Sequence, residues 1–142
     1  MKLFWFAGYA IAIGFGGCAY LLADNQPPYI YDIEQSYVIP SRASPGHQVA
    51  VHWSIKVNRL CPGSIVRTIV DARTGARMSY DPTPGDMTIE PTDTVLDRTF
   101  LLPQGMGLGP KIYRANAEYA CNPLQRIWPL KVQTPDLLFE VE

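Results

Sequence analysis

The sequence predicts an all-β domain, a two-sheet sandwich of seven or eight strands, preceded by one N-terminal transmembrane helix. After residue 28, short segments alternate apolar and polar residues with a period of two, as half-buried strands do. The chain of 142 residues contains 13 prolines and 11 glycines, which fall mostly between those segments and mark turns. Before residue 24, an uncharged apolar run has the length of a membrane span.

Three parts are expected along the chain. A signal-anchor helix serves as the membrane anchor at residues 1–24, a connector with two prolines covers residues 25–28, and an extracytoplasmic β-sandwich domain covers residues 29–142. This domain has the usual size for a single hydrophobic core. The formal net charge of −1 gives no electrostatic reason to expect nucleic acid as a partner.

The uncharged run at residues 3–23 would cover roughly 30 Å as a helix, which matches the hydrocarbon thickness of a bilayer. Lys2 precedes the run, Asp24 follows it, and the next cationic residue is Arg42. The positive-inside rule therefore predicts a single-pass membrane protein, with a cytoplasmic N-terminus and a C-terminal domain that is periplasmic or extracellular.

Two other interpretations of this run stay open. Gly16-Gly17-Cys18 is similar to a bacterial lipobox, which implies a lipoprotein anchored through lipidation of Cys18, with Phe15 where that motif usually has leucine. A cleaved secretory signal would place the cut after Ala23, with Leu21 departing from the A-x-A pattern. The apolar run continues past Cys18, which favours the uncleaved anchor.

Small residues follow a helical spacing within the run. Gly8, Ala12 and Gly16 lie four residues apart and would share one face of the predicted helix. Such spacing lets two helices approach closely in a membrane, so it predicts helix–helix association through the anchor. The alternative is that glycine and alanine are common in any membrane span.

The clearest strand signal lies at residues 48–57, where Val49, Val51 and Trp53 alternate with polar or small residues. This alternation indicates one buried face and one exposed face. The segment at residues 127–132 contains Pro129 and is expected at a sheet edge or bulge. The predicted strands cover residues 29–39, 48–57, 64–71, 76–80, 94–102, 113–121, 127–132 and 137–141.

Gly109-Pro110-Lys111-Ile112-Tyr113 resembles the approach to strand F of immunoglobulin-like and fibronectin-type sandwiches, where a tyrosine corner sits. The resemblance covers residues 29–142 and concerns the fold. Ala115 stands where antibody domains have a cysteine, and Trp53 falls on the second strand instead of the third. The resemblance implies two packed sheets with loops gathered at both ends, and a fold alone does not define a function.

In the topology that this resemblance implies, the loops after the second strand and after strand F lie at the same end of the sandwich. Cys61 and Cys121 occupy these loops and are expected to meet there. Outside the cytoplasm such a pair would be oxidised to a disulfide. The alternative is a metal-binding or redox pair, but no second thiol or histidine lies near either cysteine in the sequence.

The loops around the two cysteines are the candidate partner-binding surface. They offer arginine, leucine and tryptophan on a scaffold held by the disulfide, and arginine and tryptophan are enriched among interface hot spots. The alternative is that the apolar residues cap the core while the arginines are solvated. The candidate residues are Asn58, Arg59, Leu60, Asn122, Leu124, Gln125, Arg126 and Trp128.

No motif of the sequence carries a catalytic or metal-binding signature. His47 and His52 are the two histidines, and because a zinc site needs three or four converging ligands we interpret them as surface residues. The glycine-rich stretch at residues 105–109 opens onto Pro110 and a strand, not onto a phosphate-binding helix. An acidic loop region could bind calcium but lacks a fixed ligand pattern, so a solvated loop is expected. Its residues are Asp81, Asp86, Glu90, Asp93 and Asp97.

These observations predict a non-enzymatic, membrane-anchored binding or assembly subunit of a larger envelope or phage-related complex. Its expected partners are the lipid bilayer and other membrane or envelope proteins, without nucleic acid, metal or cofactor. A second hypothesis is a carbohydrate- or cell-wall-binding module, in which tryptophans and several tyrosines would stack on sugars. Those tyrosines are Tyr29, Tyr31, Tyr37 and Tyr80.

Overall fold

The computed structural model describes residues 2–85 and 94–142, and within the first helix it describes the side chains of residues 11, 13–21 and 23. These residues form one α-helix, ten strands and one 3-10 turn at Pro123–Arg126. The helix is α1 (Lys2–Ala23), and the strands are β1 (Tyr29–Ile39), β2 (Arg42–Ala43), β3 (Gln48–Val57), β4 (Gly63–Asp71), β5 (Arg77–Ser79), β6 (Thr83–Pro84), β7 (Val95–Leu101), β8 (Gly109–Tyr119), β9 (Leu130–Gln133) and β10 (Leu137–Val141).

The strands form two sheets. One has the order β1-β3-β7, and the other has the order β2-β10-β8-β4-β5, with β6 paired to β4 and β9 paired to β8. The long pair β4 and β8 is antiparallel and runs from Gly63 opposite Tyr119 to Asp71 opposite Lys111. At about 3.3 Å per residue, the two ends of this pair are about 25–30 Å apart.

The core lies between the two sheets and is rich in aromatic rings. Trp53 of β3 lies 6.2 Å from Tyr113 of β8, measured between ring centroids, and Phe100 of β7 stacks on Tyr113 at 5.2 Å. The alternation of β3 places Val49, Val51 and Trp53 in this core, since every second residue of a strand faces the same side. Burial of these large rings stabilises the domain.

The predicted transmembrane helix is wrong. Residues 2–23 are helical, but within the described part of the chain no helix is long and apolar enough to cross a membrane. The signal-anchor assignment and the single-pass localisation, with a cytoplasmic N-terminus and a periplasmic or extracellular domain, are wrong with it.

The small-residue face predicted on α1 falls mostly outside the described side chains. The side chain of Ala12 and the surroundings of Gly8 are not among them. Gly16 is exposed, and a Cβ at this position would meet nothing within 4 Å. Close helix packing at this face therefore stays a prediction.

Several strand boundaries differ from the prediction for local reasons. The predicted strand at residues 127–132 is Leu130–Gln133, because the 3-10 turn and then Pro129 precede it. Strand β8 begins at Gly109, where a φ of 108° turns the chain into the sheet. The two-residue strands β2 and β6 carry no periodicity, so alternation could not indicate them.

Candidate functional site

The disulfide between Cys61 and Cys121 joins the loops that follow β3 and β8, with a Cα–Cα distance of 4.7 Å. Gly63 permits this close approach, because a Cβ there would lie 2.6 Å from the carbonyl oxygen of Glu118 and 2.5 Å from the ring of Tyr119. The disulfide and this glycine bring residues 58–63 beside residues 119–128. We call this part of the molecule the disulfide end.

The 3-10 turn at the disulfide end is held by two amide side chains. The Oδ1 atom of Asn122 accepts a hydrogen bond from the backbone N–H of Gln125 at 3.0 Å. The Oε1 atom of Gln125 in turn accepts from the backbone N–H of Cys121 at 2.8 Å. The side chain of Gln125 is buried, and buried polar groups require hydrogen-bond partners, so these bonds hold the turn in one conformation.

The same two amides also bind the C-terminal end of α1. Asn122 donates through Nδ2 to the carbonyl of Leu21 at 3.1 Å, and Gln125 donates through Nε2 to the carbonyl of Asp24 at 2.8 Å. The last carbonyls of a helix have no partner within the helix. The turn therefore supplies donors to the helix end and attaches α1 to the domain.

Residues 24–28 are held along the loop after β3. The guanidinium of Arg59 pairs with Asp24 at 2.5 Å and also donates to the carbonyl of Gln26. Asn58 donates through Nδ2 to the carbonyl of Pro27 at 3.0 Å. The hydrogen bond from Arg59 is the largest of the effects that hold the pKa of Asp24 below its usual value, and the charge of Arg59 acts in the same direction. Desolvation opposes the hydrogen bond but has the smaller effect on this pKa.

Apolar residues remain exposed beside this hydrogen-bonded junction. The side chains of Ile127 and Trp128 are 68% and 66% exposed. Trp128 lines a cavity of about 320 Å³ together with Leu21 of α1 and Leu124 of the turn. We call Leu21, Leu124, Ile127 and Trp128 the apolar platform.

The predicted partner-binding residues thus divide into two groups. Asn58, Arg59, Asn122 and Gln125 bond to the α1 end and the segment that follows it, which sequence reasoning did not anticipate. The other four stay at the surface or line the cavity: Leu60, Leu124, Arg126 and Trp128. Ile127 was missed as a platform residue because it was assigned to a strand.

The described C-terminal part of α1 is also apolar and exposed. The side chains of Ile11, Ile13, Phe15 and Tyr20 are 60–78% exposed. Cys18 is a free, exposed cysteine on the same stretch. Leu21 lies on this helix and lines the cavity beside Trp128, so the exposed helix and the apolar platform adjoin.

The two histidines do not converge with other ligands. His52 lies on the outer face of the three-stranded sheet, where its Nδ1 is 2.7 Å from Asp97 and its ring stacks on Tyr37 at 4.7 Å. No group of three or more metal-ligating side chains occurs among the described residues. Of the acidic residues that could bind calcium, Asp86, Glu90 and Asp93 lie outside the described residues.

The four tyrosines considered for sugar stacking do not share one surface strip. Tyr29 is buried against Tyr119, while Tyr31 packs on Trp53 and Tyr80 on Phe100, and Tyr37 alone of the four is exposed. Burial raises the pKa of Tyr31 and of Tyr80 to about 12. Three of these rings therefore belong to the core.

An ion pair that sequence reasoning missed lies at the opposite end of β4 and β8. The ammonium of Lys111, whose side chain is 3% exposed, donates to Oδ2 of Asp71. Oδ1 of Asp71 accepts from the backbone N–H groups of Arg73 and Thr74, both at 2.9 Å. The bond from Lys111 and these turn bonds hold the pKa of Asp71 well below its usual range. Extending the alternation of Tyr113 backward by two residues would have indicated that Lys111 faces inward.

Comparisons with known proteins do not identify a family. No protein-family model and no curated protein matches the sequence. Among solved structures, the chain is similar to the alkylpurine DNA glycosylase AlkC of Pseudomonas fluorescens, bound to DNA containing an abasic site analogue, at 10% identity and a TM-score of 0.46. It is also similar to the sporulation control protein Spo0M of Bacillus subtilis, at 15% identity and a TM-score of 0.39.

The two similarities cover 81% and 82% of this chain but 30% and 50% of the chains it resembles. The chain therefore spans half or less of the length of those proteins. At these identities and TM-scores, neither similarity carries an argument about function.

Proposed function

We propose that this protein is a non-enzymatic assembly subunit that binds a protein partner through α1 and the apolar platform. One observation carries the proposal. Leu21 of α1 lines a cavity together with the exposed Trp128, other apolar side chains of α1 such as Phe15 are exposed, and hydrogen bonds from Asn122 and Gln125 join the turn to the end of the helix.

The exposure of these residues supports binding to another protein. Soluble monomers rarely expose large contiguous apolar patches, and such patches mark interaction sites. A helix that is apolar on every side is normally buried against other structure. A protein partner with an apolar groove would cover α1 and receive Trp128, a residue type enriched among interface hot spots.

The rigidity of the apolar platform supports the same conclusion. Trp128 follows a turn that is constrained by the disulfide and by the paired bonds of Asn122 and Gln125. Its backbone N–H donates to the carbonyl of Leu124 at 3.1 Å. A side chain held in place before binding loses less conformational entropy when the complex forms.

The test uses the full chain, with a C-terminal tag, to isolate a cross-linked partner that is then produced separately for affinity measurements. Trp128→Ala is expected to weaken binding by at least tenfold, in line with hot-spot losses of about 2 kcal/mol. Leu138→Ala is the matched control, because Leu138 is 71% exposed on β10 and lies outside the apolar platform.

The control variant should bind within twofold of the wild type, and both variants should give the circular dichroism spectrum of the wild type. Equal affinities for the two variants would place the interface elsewhere. The proposed function is contradicted if the tagged full chain yields no cross-linked protein and only detergent is bound to its helix.

A further inference from the structure

A second cavity, of about 360 Å³, lies at the end of the sandwich opposite the disulfide. It sits where β4 ends at Asp71 and β8 passes Lys111, and the loop at residues 103–107 covers one side. Its volume is at the lower end of the range for small-molecule sites. The cavity is separate from the apolar platform, which lies at the other end of the β4–β8 pair.

The walls of this cavity combine apolar and charged groups. Ile69, Met78, Pro103 and Met106 provide apolar surface. The charged side chains of the lining are Asp71, Arg77 and Lys111. One carboxylate and two cations leave a net charge of +1, so the cavity favours a ligand with one negative charge.

Both cationic groups of the lining retain donors for a ligand. An ammonium has three N–H donors, and within the described residues that of Lys111 bonds to Asp71 alone. The side chain of Arg77 is exposed at the cavity, and its guanidinium has no hydrogen-bond or ion-pair partner in residues 2–85 and 94–142. A carboxylate can accept from both cations at once.

Two glycines of the covering loop, Gly105 and Gly107, line the cavity. Neither Gly105 nor Gly107 has a positive φ, and a Cβ at either position would meet nothing within 4 Å. Neither backbone conformation nor packing therefore requires glycine there. The absence of side chains leaves space for a ligand to enter beside Met106.

We propose that this cavity binds a small amphiphile with one anionic group and an aliphatic tail, of the class of medium-chain carboxylates. The carboxylate accepts hydrogen bonds from Arg77 and Lys111, and the tail lies against Ile69, Met78 and Met106. Ion pairing and apolar burial then act on the same ligand.

The test is calorimetric titration of the full chain with sodium octanoate, using 1-octanol as the neutral analogue. Octanoate should bind with one-to-one stoichiometry and at least tenfold more tightly than octanol. Arg77→Gln should weaken octanoate binding several-fold while leaving octanol binding unchanged. Lys56→Gln removes an exposed cation on β3, outside the cavity, and should change neither affinity.

A second variant blocks the space itself. Ala76 lines the cavity and is exposed, so Ala76→Trp can fill the mouth without altering the core, and the circular dichroism spectrum checks the fold. This variant should lose octanoate binding by more than tenfold. The proposal is overturned if octanoate does not saturate, if it binds no better than octanol, or if Ala76→Trp binds it like the wild type.

Discussion

The two ends of the β-sandwich use polar side chains in opposite ways. At the disulfide end, Asn122, Gln125 and Arg59 bond to the end of α1 and the segment after it, and apolar Trp128 faces solvent. At the opposite end, which holds the cavity beside Asp71 and Lys111, the side chains of this charged pair are largely buried. Apolar side chains lie at the surface of the disulfide end, whereas at the cavity end other apolar side chains line a cavity.

This contrast shows that the two ends are stabilised by different interactions. The disulfide end depends on a covalent bond, on hydrogen bonds between neutral amides and carbonyls, and on the ion pair of Arg59 with Asp24. The cavity end depends on a charged pair with little access to solvent, so its stability depends on protonation. Each prediction below perturbs one of the two ends.

Loss of the disulfide should have the largest effect. Cys61→Ser and Cys121→Ser should each lower the free energy of unfolding by about 2–5 kcal/mol, because the bond restricts the unfolded chain and holds the two loops together. The double variant should be little worse than either single variant. Urea unfolding measures the three values, and hydrogen exchange should show faster opening near Gln125 than near Lys111.

If the two single variants differ greatly and their effects add, the cysteines act independently. An equal increase in exchange at Lys111 and at Gln125 would instead show that the disulfide stabilises the whole sandwich evenly.

Asp71→Asn should have the second-largest effect, and this effect should depend on pH. The folded-state pKa of Asp71 is lowered, so its contribution to stability is present above about pH 4 and is lost as the pH falls through the folded-state value. The variant should be less stable than the wild type at pH 7, and the difference should shrink progressively below pH 4. Urea unfolding between pH 7 and pH 2 measures this difference in the free energy of unfolding.

Glu34→Gln is the control for this series, because Glu34 is exposed on β1 and lies outside the cavity. It should change stability little across the same range. A difference between Asp71→Asn and the wild type that stays constant down to pH 2 would contradict the lowered pKa.

Removal of the Asn122 side chain should have the smallest effect. Asn122→Ala loses the bonds to the N–H of Gln125 and to the carbonyl of Leu21, and should cost about 1–2 kcal/mol. Asn122→Asp keeps the acceptor for Gln125 but loses the donor to Leu21. Hydrogen exchange at residues 21–25 should therefore increase in both variants, while exchange at Gln125 should increase mainly in Asn122→Ala. Identical exchange in the two variants would show that the turn and the helix end open together as one unit.

Periodicity allowed much of the sheet to be anticipated. Every second residue of a strand faces the same side, so the alternation around Val51 and Trp53 is visible without knowledge of the partner strand. The same alternation did not reveal β2 or β6, which are too short to show a period. Membrane spanning was inferred from the absence of charge at residues 3–23, and the described helix does not support that inference.

By itself, the sequence determined the positions of the longer strands and placed two cysteines in loops, because strand periodicity and turn residues are local properties of the chain. Only the tertiary structure decided which polar side chains serve the fold and which surface remains free. Gln125 bonds to Asp24, about one hundred residues away, and Asp71 pairs with Lys111 across two strands. Whether an amide or a charge is exposed depends on partners brought close by folding, and no local pattern encodes them.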